Sequence, residues 1–185
     1  MLSLIYLACL VPAFALTDID IKCMANNEEH LSNDRLLGTW YIMYTFSFMG
    51  GVIPTTAYTN ITITKPTAED LQLFKDEYLA PGLPYSFEDN PVLSTKGQEN
   101  GMLIGNNRAK FYVLKPNDGF LNPFGYEVQA YQFLTEKFVM HTPCPLRGNR
   151  RMLLSNDRHA TVEEMERVIK NTRELNILER NRFCA

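Results

Sequence analysis

Residues 38–48 read Gly-Thr-Trp-Tyr-Ile-Met-Tyr-Thr-Phe-Ser-Phe. Successive side chains of a β-strand point to opposite faces. Trp40, Ile42, Tyr44, Phe46 and Phe48 therefore share one face, with Tyr41, Met43, Thr45 and Ser47 on the other. From Gly38 to Asn156, similar segments rich in Tyr, Phe, Val, Ile and Thr recur between Gly, Pro, Asn and Asp, which is an all-β pattern. It predicts eight strands, near 38–48, 56–64, 69–77, 98–104, 108–115, 125–134, 136–142 and 150–156. Residues 78–97 fit least well, because Pro81-Gly82, Pro84 and Asn90-Pro91 interrupt any ladder. A strand inside 85–95 is the alternative placement. Thr135-Glu136-Lys137 reads as the corner of a hairpin between Tyr131-Gln132-Phe133 and Phe138-Val139-Met140.

The chain has 185 residues, of which 45% are hydrophobic and 21% charged, and a net charge of −3. That length and composition predict one globular domain and exclude a disordered tail or a coiled coil. Mild acidity gives no basic stripe for nucleic acid. Residues 2–16 are uncharged and end near Ala13-Phe14-Ala15, the small-x-small pattern of a signal peptide cleavage site. The expectation is a signal peptide over 1–15, a single domain over 16–185, and a secreted, extracellular protein. The run is shorter than the roughly 20 residues that span a membrane. Cys9 would leave with the signal peptide. Cys23, Cys144 and Cys184 would remain, and an oxidising compartment favours one bridge plus one further thiol. Asn60-Ile61-Thr62 is a glycosylation sequon, which asks Asn60 to face water.

That constraint sets the second strand, with Ala57, Thr59, Ile61 and Ile63 inward. Leu71 and Leu73, Phe111 and Val113, Tyr126 with Val128 and Ala130, and Phe138 with Met140 make the other inner sets. Eight sequential strands can close into an antiparallel up-and-down barrel without exposed edges. Such a barrel is either filled by its own side chains or holds one small ligand. The candidate ligand-binding residues are Ile42, Tyr44, Phe46, Thr59, Ile61, Leu73, Phe111, Val113, Tyr126, Val128, Phe138 and Met140. Tyr44, Thr59 or Tyr126 would orient a polar group. One amphipathic helix follows. Thr161 and Glu164 form a capping box, and Met165, Val168, Ile169 and Leu175 share a face. It is expected to pack outside the barrel as scaffold.

No Gly-x-Ser-x-Gly, His-Glu-x-x-His, Gly-rich phosphate loop or EF-hand spacing appears in the sequence. His141 has the opposite parity to Phe138 and Met140 and is expected to point outward. So are Glu127 and Gln129. No metal, cofactor or catalytic residue is expected.

At Gly38-Thr39-Trp40-Tyr41 the chain resembles the lipocalin family, whose first signature is a Gly-x-Trp opening the first strand. The order of a signal peptide, Gly-x-Trp, about eight strands, one helix and a C-terminal Cys adds to the resemblance. So does Met152-Leu153-Leu154-Ser155 before the helix. The second lipocalin signature keeps only Thr135 here, and Asn156 stands where the third places an arginine. The resemblance implies that an arginine covers Trp40, with Arg158 first and Arg151 second. It also implies a bridge between Cys23 and Cys144, as in arthropod-type lipocalins, with Cys144–Cys184 as the alternative. The implied function is extracellular binding and transport of a small hydrophobic ligand such as a fatty acid, retinoid or pigment. The alternative is a secreted protein–protein effector that uses rim loops, with 78–97 supplying the surface.

Overall fold

The computed structural model describes residues 33–47, 60–72, 92–97, 101–105, 110–114, 126–144, 150–176 and 179–182. The expected signal peptide, Cys23, Thr59, Leu73 and Cys184 lie outside these residues. Entry into the sheet is set by a 3₁₀ turn, Asn33–Leu36, and by Gly38. Gly38 has φ of 126°, a region that side chains with a Cβ rarely adopt. A Cβ there would meet nothing within 4 Å, so the requirement for glycine comes from the backbone alone.

The described strands are β1 (Gly38–Ser47), β2 (Asn60–Thr64), β3 (Val92–Gly97), β4 (Gly101–Ile104), β5 (Lys110–Leu114), β6 (Tyr126–Phe133), β7 (Phe138–Pro143), β8 (Arg150–Ser155) and β9 (Glu179–Arg182). All join one antiparallel, curled, barrel-like sheet in the order β2-β3-β4-β5-β6-β7-β8-β1-β9. One edge of β1 pairs with β8. Its other edge pairs with β2 over Gly38–Tyr41 and with β9 over Tyr44–Ser47. A ninth strand was not expected from the sequence.

Residues 68–72 overlap the expected third strand, 69–77, but are helical. Thr67 starts that turn, its hydroxyl accepting from Asp70 N at 3.0 Å and its carbonyl from Leu71 N at 3.0 Å. A Thr followed by acidic residues is a helix start, and here that local signal overrides the apolar alternation. The third strand among the described residues is β3, which overlaps the alternative placement. The hairpin forms where expected. At its corner the Thr135 hydroxyl accepts from the backbone N–H groups of Lys137 and Phe138, at 3.2 and 3.1 Å.

Helix α1 (Val162–Asn171) begins with the expected capping box, and a short helix α2 (Arg173–Asn176) follows it. The break at Thr172 places Leu175 on α2, still fully buried. Met165, Val168, Ile169 and Leu175 pack against Met43, Tyr44, Phe46, Phe138, Met140 and Leu153. This cluster draws only on β1, β7 and β8, so it lies on the convex face under the helices. A second cluster, which includes Trp40, Ile42, Ile61, Leu93, Leu103, Tyr131, Val139 and Leu154, draws on strands all around the sheet. Only the concave face can bring those strands together. Each fully buried Leu, Ile, Phe or Met in either cluster contributes about 1.5–3 kcal/mol.

The boundary between the two clusters on β1 is a β-bulge. Register shifts between Ile42 and Tyr44, leaving Met43 as an extra residue. A bulge of this kind reverses the alternation beyond it. Ile42 therefore faces the concave side, whereas Tyr44 and Phe46 face the helices, contrary to the expected alternation.

Lys137 ties the hairpin corner to the start of α1. Its ammonium lies 2.8 Å from Asp157 and 2.9 Å from Glu164. Hydrogen bonding to Lys137 is the main reason that both carboxyls sit below their ordinary values. The same bonds, to Asp157 first, raise Lys137. The carboxylates contribute stability above the usual range near about 4 and lose it as the solution is acidified. Lysine contributes below about 10.4 and loses it as pH rises further. Lys137→Met is expected to lower the urea midpoint between about pH 5 and 10, with the gap to wild type closing on the acid side. A midpoint series across pH checks this. Gly38→Ala is expected to cost about 1–3 kcal/mol in the same denaturation assay, because only the backbone strain changes.

Candidate functional site

The concave face is built in layers that follow from strand register. Near its Trp40 end the face is apolar. Trp40 is buried, donates from Nε1 to the Leu36 carbonyl at 2.8 Å, and meets Phe133 edge-to-face at 5.7 Å. The next layer joins Ile42, Leu154, Val139 and Phe133 across β1, β8, β7 and β6. One layer further, the same strands align Thr45, Met152, His141 and Tyr131. Beyond that, the register aligns Ser47 with Arg150 and Pro143 with Gln129.

This second half is where the lining becomes polar. Thr45, Gln129 and His141 are each no more than 3% exposed. His141 stacks flat on Tyr131, with ring centroids 4.4 Å apart and planes 5° apart. Gln129 Oε1 accepts from the Tyr131 hydroxyl at 3.0 Å and lies 2.9 Å from His141 Nε2. A carbonyl oxygen only accepts, so Nε2 carries the imidazole proton. Burial, with the charge of Arg150 second, pulls His141 down to about 3, so the ring is neutral near pH 7. Its Nδ1 is then an acceptor. That atom, Thr45 Oγ1 and Arg150 Nε are buried and have no hydrogen-bond partner among the described residues. Leaving such an atom unpaired costs about 1–3 kcal/mol. Arg150 also directs an NH2 group toward Met152 Sδ at 3.9 Å, which places its guanidinium beside the same layer.

Of the residues expected to line a pocket, Ile42 and Ile61 belong to the concave cluster. Tyr44, Phe46, Phe138 and Met140 belong to the convex one. Val128 is buried at a position of opposite parity to Gln129 and Tyr131, so it too faces away from the concave side. Phe111 is in register with Gln129 and Val113 with Glu127, while Tyr126 shares the parity of Val128. The side chains of these three lie outside the described residues, as do Thr59 and Leu73. Asn60 opens β2 and is half-buried, and its register partner is Tyr41.

His141 and Gln129 were expected outside and are buried inside. The helices make the convex faces of β1, β7 and β8 as apolar as the concave ones, so apolar parity no longer identifies the inside. Arg158 is exposed. Arg35 lies 4.1 Å over Phe133, the ring that meets Trp40 edge-to-face, and pairs with Glu136 at 3.0 Å. Arg151 is in register with Phe46 on the convex side. Burial lowers its guanidinium, which Glu174 opposes. Cys144 is buried, but Cys23 is outside the described residues. Of 78–97, only β3 is described.

Thr45, Gln129, Tyr131, His141, Arg150 and Met152 escaped the sequence reading. The signal that reaches part of the set is the hairpin: a corner at 134–137 pairs Phe133 with Val139, and hence Tyr131 with His141. Among the described residues, no three His, Cys, Asp or Glu side chains gather as for a metal ion. No helix among them is long and apolar enough to cross a membrane. No protein-family model and no curated protein matches the chain.

The unfolded chain takes up a proton at His141 near 6.5, and the folded one near 3. Stability from keeping the ring neutral is complete above about 6.5. It falls as pH drops toward 3, by about 1.4 kcal/mol per pH unit. His141→Phe keeps the stacked ring and is expected to remove this slope from the acid limb of a stability–pH curve. In the wild type, NMR is expected to show no His141 ring titration between pH 8 and 5.

Proposed function

We propose that the chain is a divergent lipocalin-like protein that binds and carries a small hydrophobic ligand outside the cell. In this reading strands β1–β8 form an eight-stranded up-and-down barrel, with α1 packed outside and β9 lying along β1. The pairing of β1 with both β8 and β2 supports it, as do the glycine-dependent entry at Gly38 and the buried Trp40. The observation that carries the function is the layered concave face. Apolar residues line it, and three buried atoms of its polar band, Thr45 Oγ1, His141 Nδ1 and Arg150 Nε, have no hydrogen-bond partner among the described residues. Ligand pockets combine a mostly apolar lining with a few orienting polar groups in this way. No bond is made or broken. The ligand is held by burial and released by equilibrium.

Removal of 1–15, a Cys23–Cys144 bridge and a glycan on Asn60 belong to the same proposal. Native mass spectrometry of protein secreted from eukaryotic cells tests all of it. The expected result is a mass lacking 1–15, with one disulfide, a glycan and a small molecule that organic extraction removes. Protein that carries no small molecule, and that binds no member of a fluorescent fatty acid and retinoid panel, would overturn the ligand-binding reading.

A further inference from the structure

The three unpartnered atoms in the polar band have distinct chemistries. Arg150 Nε–H can only donate, and it carries positive charge. His141 Nδ1 can only accept, because Nε2 is committed to Gln129 and the ring is neutral. Thr45 Oγ1 can do either. Thr45, Met152 and His141 stand in register on three adjacent strands, with Arg150 two residues from Met152 on the same face. Adjacent strands are about 4.8 Å apart, so Thr45 and His141 stand roughly 10 Å apart across the face.

A simple hydrocarbon would leave all three atoms unpaired. A plain carboxylate would satisfy Arg150 and Thr45 but would leave Nδ1, two strands away, unpaired. An amine would satisfy Nδ1 but repel Arg150. Resting on the ligand-binding reading above, we infer that the polar band of the concave face selects a hydroxylated carboxylic acid with an apolar body. Its carboxylate meets Arg150 and the Thr45 hydroxyl. A hydroxyl elsewhere on the molecule donates to His141 Nδ1. The apolar remainder lies toward the Ile42 layer. Tyr131 and Gln129 act as positioning residues, since they hold the imidazole flat and fix which nitrogen faces the ligand.

The test is isothermal titration calorimetry on the full chain with four sixteen-carbon probes: hexadecanoic acid, its methyl ester, hexadecylamine, and a series of hydroxyhexadecanoic acids differing in hydroxyl position. Charge-assisted hydrogen bonds are the strong ones. The acid is expected to bind about tenfold or more tighter than the ester, and the amine weakest. At least one hydroxy acid should bind several-fold tighter than the unsubstituted acid. In Arg150→Gln the acid-to-ester ratio should fall toward one. The exposed Arg158→Gln, which removes the same charge elsewhere, should leave that ratio unaltered. His141→Phe should abolish the advantage of the hydroxy acid. Equal binding of acid, ester and amine by the wild type would overturn this inference and leave ligand binding standing. So would a preference for the amine, or no gain from any hydroxyl position. These wild-type comparisons do not depend on any variant folding. Failure of every probe to bind would overturn both readings.

Discussion

One extra residue in β1 lets a single strand serve two cores. Before Met43, the strand turns Trp40 and Ile42 to the concave side. After it, Tyr44 and Phe46 turn outward under α1, and Thr45 turns inward. Without the bulge, two large aromatic rings would project into the concave face and Thr45 would lie beneath the helix. The Tyr44 hydroxyl reaches Glu166 on α1 at 3.3 Å, a contact that exists only because the strand has changed parity. A shift of one residue in backbone pairing thus decides both where the helix docks and which groups line the interior.

The polar band depends on that shift and on the β6–β7 hairpin. Buried polar groups are tolerated when they satisfy one another. Gln129, Tyr131 and His141 do so through two hydrogen bonds and a stacked pair of rings. Thr45 Oγ1, His141 Nδ1 and Arg150 Nε have no such partner among the described residues. Burial keeps His141 neutral, so the positive charge beside the band belongs to Arg150. A neutral acceptor next to a fixed cation is a chemically selective arrangement, and it is set in an otherwise apolar lining.

Much of the architecture was legible because its signals are local. The Gly-Thr-Trp start, the corner at Thr135 and the capping box at Thr161 depend on residues within a few positions of one another. The third strand was misplaced because Thr67 starts a helical turn just where Leu71 and Leu73 mimic strand alternation. The inner face was misread for a different reason. On β7, Phe138 and Met140 are no more apolar than a helix-covered surface requires, and His141 and Gln129 are buried through each other. Binary patterning distinguishes a wet face from a dry one, and here β7 is buried on both faces.

The strand-rich class, the glycine that opens β1, the hairpin and the capped helix were readable in the residues. Each follows from backbone preference or from spacing along the chain. Folding across distant strands fixes which side of each strand lines the interior, that Arg35 stacks on the Phe133 ring beside Trp40, and that Thr45, His141 and Arg150 share one band. Those outcomes depend on a bulge and on cross-strand register. Both are settled by pairing between distant segments, and neither is encoded at any one position.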